Sequence, residues 1–365
     1  MKIAAAVLRS ADAPFTIEEV ELATPAAHQV LVRIVGAGHC HTDVIPRGGA
    51  RFGTLPIVLG HEGAGVVEAV GTAVRTVKVG DHVVLSFDSC GNCRSCQDAQ
   101  PAYCDTFLAR NLAGNALDGS TPLTDAHGMP IAGRWFGQSS FASHTIVDAH
   151  NAVVVDKDLP LELLGPLGCG IQTGAGAVLE ALQVRAGEGI VIVGTGAVGL
   201  SAVMAAKVAG AGPIIAVDLN TERLALAREL GATDTIVAGS GELAEQVRVI
   251  APSGVRYGID TTGLPSVISA TLGAIALRGT LGLLGVQQGD LSIAPLALGA
   301  GRTLVGILEG SANPQTFIPT LISLWQAGQF PFDRLITTFP LSEINFAEKQ
   351  SLAGEIVKPV FLPGK

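Results

Sequence analysis

The stretch GIVIVGTGAVGLSAVMAAKVAGAG, residues 189–212, narrows the possible folds more than any other part of the chain. GIVIVG is a short apolar run of the kind that forms a buried strand, and AVGLSAVMAAKVAGAG has helical length with a glycine-rich end. Between them lies GTGAVG. Gly194 permits a tight turn, Gly196 lets a ligand approach the backbone, and Gly199 lets helix and strand pack closely. A pyrophosphate at this point would meet free N–H groups and the positive end of the helix dipole.

The rhythm continues. PIIAVD reads as a second strand, and NTERLALARELGA as a second helix capped at Asn220 and closed at Gly231. TIVAG, YGIDTTG and TLGLLGV repeat the buried-strand signature. Such alternation implies a doubly wound parallel sheet. Asp218 ends the second strand, 19 residues after Gly199, where a carboxylate can accept hydrogen bonds from a ribose diol. A 2′-phosphate would be repelled there, so the pattern points to NAD rather than NADP. A helix cap is the alternative role for Asp218.

At 365 residues the chain exceeds what one core usually fills, so two domains are expected. Hydrophobic residues make up 48 %, charged residues 15 %, and the formal net charge is −9. Without a basic cluster, nucleic acid is excluded as a partner. The opening MKIAAAVLRSADAP carries six apolar residues before Arg9, fewer than a secretory signal needs, and reads as a first strand. No apolar run approaches the roughly 20 residues of a membrane span. A cytoplasmic setting follows as the expectation, in which six cysteines favour metal binding over disulfides.

Residues 1 to about 150 read mainly as short strands, with VLVRIVGAG, GAGVVEAVG and DHVVLSF the clearest, and from about 97 to 135 as surface loops. Within this part Cys90, Cys93, Cys96 and Cys104 form a C-x2-C-x2-C-x7-C run. Four thiolates within 15 residues can close a tetrahedral shell around a structural zinc. An iron–sulfur cluster fits less well, because its ferredoxin-type run has three residues before the last Cys and seven intervene here. Two cysteines remain, Cys40 and Cys169. With one His they would supply the three protein ligands common at catalytic zinc, and His61 stands out in LGHEGAGVVEAVG. In GAGHCHTD, Cys40 is flanked by His39 and His41, whose side chains point away from it in extended backbone.

GHE (60–62), two residues, Gly65, five residues, Gly71, two residues and Val74 make a pattern that resembles the zinc signature of the medium-chain alcohol dehydrogenases. The four-Cys lobe, the late Cys of LGCGIQTGAG and the GxGxxG–Asp unit occur in the order of that family, so the resemblance covers essentially the whole chain. GHCHTD, VVLSFDSCGNC and PLELLGPLGCGIQTGAGAV look closest to the bacterial aryl-alcohol (benzyl alcohol) and geraniol dehydrogenase branch. The resemblance implies an α/β protein with a GroES-like, β-rich catalytic domain over 1–170, its structural zinc lobe at about 88–106. A Rossmann coenzyme domain over 171–312 and a C-terminal return to the catalytic domain over 313–365 complete it. It further implies two zinc ions per subunit, NAD(H), a small alcohol or aldehyde as substrate, and a homodimer or homotetramer.

Residue by residue, the resemblance assigns catalytic zinc to Cys40, His61 and Cys169. Asp43 would orient His61, and Glu62 would sit behind the metal. Thr42 would bond the substrate hydroxyl and begin a proton relay. Thr173 would lie near the nicotinamide with Val198 behind the ring, and Arg223 near the adenosine ribose. His41 and Lys358 would reach the pyrophosphate. The implied activity is reversible oxidation of a primary aromatic or allylic alcohol by NAD.

Two positions depart from the family. Many relatives carry a relay His where Ile45 stands, and Ile45 cannot carry a proton. Many also place Arg, always charged, where His41 stands, which predicts looser NADH binding here. Phe87 offers an apolar pocket wall, and His39 has no assigned role. A glutathione-dependent formaldehyde dehydrogenase shares the two-zinc plan and is the alternative enzyme. A non-catalytic zinc- and NAD-binding redox sensor is the alternative of another class, although the ligands and Thr42 are all present.

Overall fold

The computed structural model describes residues 1–48 and 52–364. These form two compact units, one of residues Met1–Cys169, Asn313–Pro319 and Asp333–Lys365, the other of Gly170–Ala312 and Thr320–Phe332. The C-terminal segment 313–365 is thus shared between the units rather than returning whole to the first. The reason lies in the apolar face of 320–332. Leu321, Phe330 and Phe332 are fully buried, and Trp325 packs on Phe332 with ring centroids 5.2 Å apart.

The first unit is built from two sheets. One runs through Ile57–Val58, Lys2–Leu8, Thr16–Leu22, Leu123–Thr124 and Pro130–Ile131. The other centres on Gln29–Gly38, which pairs antiparallel with Glu62–Val70, with Lys358–Leu362 and with His144–Asp148. The alternation of Val30, Val32 and Ile34 inward with Arg33 outward is the mark of a strand with one wet face. Residues 97–135 hold more structure than bare loop. A helix spans Phe107–Leu112, and its buried Asn111 accepts from the Asp88 N–H at 2.8 Å.

The second unit is a six-stranded parallel sheet in the order Asp234–Val237, Ile214–Asp218, Ile190–Val193, Val255–Asp260, Ile275–Leu283, Thr303–Gly306. Strands reverse direction of travel across the sheet on either side of Ile190–Val193, as in a doubly wound Rossmann sheet. Its strand Ile190–Val193 is apolar and buried throughout, as expected where helices cover both faces of such a sheet. The helices begin and end where the sequence indicates. Asn220 caps Thr221–Leu230 by accepting from Glu222 and Arg223 N–H groups at 2.9 and 3.2 Å, and Gly231 ends it at φ 134°.

Candidate active site

Strand pairing brings the first metal group together. Gly38 lies opposite Glu62 in the register, so Cys40, just past one strand, and His61, just before the other, emerge at the same end. Cys169 follows a short turn over Gly165–Gly168, whose last carbonyl accepts from Ser86 Oγ at 2.7 Å. One donor atom each from Cys40, His61 and Cys169 then falls within 4.8 Å of the others.

Asp43, on the short helical turn His41–Gly48, organises this group. Fully buried, it accepts from His61 Nδ1 at 2.8 Å, Gly60 N–H at 3.1 Å, Trp135 Nε1 at 3.1 Å and, through its other oxygen, Cys40 N–H at 3.1 Å. With Nδ1 engaged, the buried Nε2 of His61 has no hydrogen-bond partner among the described residues. Burial alone would lower the His61 pKa, but the charge and hydrogen bond of Asp43, with Cys40 close by, hold it well above its ordinary value. The Cys169 thiol and His61 hold Cys40 well below the usual thiol range despite its burial. Two sulfurs and an orphaned imidazole nitrogen, one thiol already inclined to ionise, fit a zinc ion with one position left open.

Glu62 and Lys358 are completely buried beside this group. Lys358 Nζ donates to both Glu62 oxygens at 2.8 and 2.9 Å and to the His39 carbonyl at 2.9 Å. Its three protons therefore have three acceptors, which corrects the expectation that Lys358 reaches a pyrophosphate. The reason is its place at the start of Lys358–Leu362, every residue of which is buried. The buried carboxylate of Glu62 is thus balanced by a cation. His39 packs rather than binds, its ring parallel to Phe141 at 6.3 Å and edge-on to Phe361 at 6.4 Å.

The four sulfurs of Cys90, Cys93, Cys96 and Cys104 also lie within 4.8 Å of one another. Backbone N–H groups of Cys90 and Cys93 point at the sulfurs of Cys104 and Cys90, each at 3.2 Å. Backbone hydrogen bonds from Asp105 and Cys96 bring Cys93 down to about 6, whereas burial pushes Cys96 up to about 12. This set is closed by four thiols and fits a structural zinc.

In the second unit, Gly194 has φ +89°, and a Cβ there would strike the Thr261 hydroxyl. A Cβ at Gly199 would overlap the Gly194 carbonyl, which explains why the first and third glycines are needed. Gly196 has open space beyond it, with Arg223 Nη1 3.9 Å from where its Cβ would be. Asp218 Oδ2 accepts from Thr195 N–H and Oγ at 2.6 and 2.7 Å, and Oδ1 from Asn220 N–H at 2.9 Å. An apolar cleft of about 210 Å³ opens beside it, lined by Val217, Ala238, Leu243 and Ala270 among others. Thr173 Oγ lies 3.5 Å from Glu309 Oε2, in a turn where Glu309, Gly310 and Ser311 all have positive φ. Val198 is half-buried on the helix that follows the glycine turn, and His41 is exposed.

A β-rich unit bearing a Cys2His group and a four-Cys lobe, in one chain with a Rossmann unit, defines a zinc-binding dehydrogenase. Residues 26–157 match the alcohol dehydrogenase GroES-like domain, and residues 197–326 the zinc-binding dehydrogenase domain. The chain is 45 % identical to the geraniol dehydrogenase of Castellaniella defragrans over 363 residues, 98 % of this chain and 97 % of that one. Among solved structures it resembles a zinc-binding alcohol dehydrogenase domain protein from Burkholderia ambifaria, with TM-score 0.97, 49 % identity and coverage of 100 % and 99 %. It likewise resembles benzyl alcohol dehydrogenase from Acinetobacter calcoaceticus, with TM-score 0.95, 41 % identity and 99 % of both chains covered. The chain belongs to the zinc-dependent medium-chain alcohol dehydrogenases, in the aryl-alcohol and geraniol dehydrogenase branch. It is an alcohol dehydrogenase that works with zinc and a nicotinamide coenzyme on a small-molecule alcohol.

Proposed function

We propose that this enzyme oxidises primary aromatic or allylic alcohols, of the benzyl, cinnamyl or geraniol kind, reversibly to aldehydes with NAD. The single observation that carries the reading is the convergence of Cys40, His61 and Cys169 within 4.8 Å, with a buried His61 Nε2 left free to bind. The substrate class is supported by the names of two relatives that align over nearly their whole length, geraniol dehydrogenase and benzyl alcohol dehydrogenase.

The protein's residues divide the work as follows. Cys40, His61 and Cys169 hold the catalytic zinc, and Cys90, Cys93, Cys96 and Cys104 a second, structural one. Zinc held there would supply a Lewis acid that favours the alkoxide, and NAD a hydride acceptor. Thr42 Oγ, 3.6 Å from Cys40 Sγ, would accept a hydrogen bond from the substrate hydroxyl and relay its proton, giving up its own hydroxyl proton towards the nicotinamide ribose. Asp43 fixes the tautomer of His61, and Glu62 with Lys358 forms a neutral pair behind the metal ligands. Gly194, Gly196 and Gly199 cradle the pyrophosphate, Asp218 takes the ribose diol, and Arg223 attends the same ribose. Thr173 and Val198 would serve the nicotinamide end of the coenzyme, and His41 would be a phosphate-binding residue. Residues 1–170 with much of 313–365 form the catalytic domain and 171–312 the coenzyme domain.

Association into a homodimer or homotetramer is supported by the edge strand Thr303–Gly306 of the six-stranded sheet and by Leu296 and Val286, exposed in the segment of chain that leads into it. A cytoplasmic enzyme accords with the finding that no helix among the described residues is long and apolar enough to cross a membrane.

Thr42→Ala tests the relay. Turnover falls by about 100-fold or more while zinc content stays at two per chain. Turnover like that of the wild type would refute the role of Thr42.

A further inference from the structure

The loop RWFGQSS, residues 134–140, converges on His61 from far along the chain. Trp135 Nε1 donates at 3.1 Å to the same Asp43 oxygen that accepts from His61 Nδ1. Phe136 lies against the imidazole, with ring centroids 4.4 Å apart and planes 23° from parallel. Gln138 Nε2 donates to the His61 carbonyl at 2.9 Å, and its Oε1 accepts from Gly63 N–H at 3.0 Å. One loop thus touches the ligand's carboxylate partner, its ring face and its backbone.

The backbone is bent to achieve this. Phe136 and Ser139 have φ of 52° and 53°, a region that costs a non-glycine residue free energy. Two bonds hold the bend: Trp135 N–H donates to Ser139 Oγ at 2.9 Å, and Ser139 N–H to the Trp135 carbonyl at 3.0 Å. Trp135, Phe136 and Gln138 are all buried, so each bond is made away from competing water. A Trp N–H spent on a buried carboxylate neutralises none of its charge but fixes the direction in which its lone pairs point.

We propose that Trp135 is a positioning residue for the metal histidine. Its N–H fixes the Asp43 oxygen that sets the tautomer of His61, while Phe136 fixes the plane of the ring. The metal affinity of the Cys40–His61–Cys169 site then depends on a side chain that has no donor atom to offer a metal. This rests on the reading of that group as a zinc site.

The test is zinc affinity by chelator competition on the full chain, with the four-Cys zinc as internal reference. Replacing Trp135 with benzothienylalanine keeps the ring shape and deletes only the N–H, and Trp135→Phe is the simpler companion. Both weaken the catalytic zinc by roughly tenfold or more and leave the structural zinc unchanged, as loss of an outer-shell partner does. In an Asp43→Asn background the same replacements have little further effect, because Trp135 acts through Asp43. Unchanged affinity in the benzothienylalanine protein overturns the proposal. An equal loss in both backgrounds also overturns it, since that marks packing alone. A wild-type chain that binds zinc only at the four cysteines would instead overturn the metal reading beneath it.

Discussion

Lys358 and Glu62, 296 residues apart in the chain, form a fully buried ion pair in which both carboxylate oxygens accept from one ammonium group. Removing one partner strands a charge in the interior. Lys358→Met should therefore cost on the order of 3–5 kcal/mol, measured by urea unfolding of the zinc-loaded protein. The double variant Lys358→Met/Glu62→Gln should recover part of that loss. A Lys358→Met protein as stable as the wild type would mean that the pair carries no such role.

Asp218, proposed above to take the ribose diol, has its carboxylate held by the N–H and hydroxyl of Thr195 and by the N–H of Asn220. The wild-type enzyme should bind NADH more tightly than NADPH, since a 2′-phosphate would face a fixed negative charge. Asp218→Ser should narrow that preference by roughly tenfold or more, about 1.4 kcal/mol or greater. A fluorescence titration of both coenzymes decides it, and a wild-type preference for NADPH contradicts the assignment.

Acid sensitivity should come partly from Glu348. Burial pushes its carboxyl up, but His39 and Arg47 more than offset this and hold it below the ordinary glutamate value. We assign the larger part to Arg47, which donates from Nη2 at 2.9 Å and Nε at 3.2 Å, because His39 Nε2 is 3.9 Å away, beyond hydrogen-bond reach. A lowered folded-state pKa contributes stability that is present above the unfolded value, roughly 4.3, and is lost as pH falls through the folded one. Glu348→Gln should thus lower stability by about 2 kcal/mol at pH 7 and narrow its gap to the wild type in the acid range. Melting curves across pH check this, and a gap that widens on acidification would contradict it.

Much of this was legible in the sequence because its signals are local. GTGAVG with Asp218, the caps Asn220 and Gly231, and four cysteines within 15 residues each state their geometry over a short span. Cys40, His61 and Cys169 needed the family resemblance to be joined, and strand register shows how they meet. What stayed hidden depends on distant partners. Trp135 lies 92 residues from Asp43, and nothing in RWFGQSS marks its indole as a hydrogen-bond donor to a buried carboxylate. The resemblance sets Lys358 in EIVKPVF at the pyrophosphate, and only the strand, buried on every residue, shows its ammonium committed to the distant Glu62. His39 in GAGHCHTD, to which the sequence assigns no role, is a ring packed against Phe141 and Phe361.

The most direct test of the whole account is the rise of NADH absorbance when NAD meets benzyl alcohol or geraniol, before and after chelation. The predicted result is rapid NADH formation without added glutathione, lost when the zinc held by Cys40, His61 and Cys169 is removed and restored when zinc is returned. An absence of NADH with every aromatic and allylic alcohol, or oxidation that survives complete removal of that zinc, would contradict it.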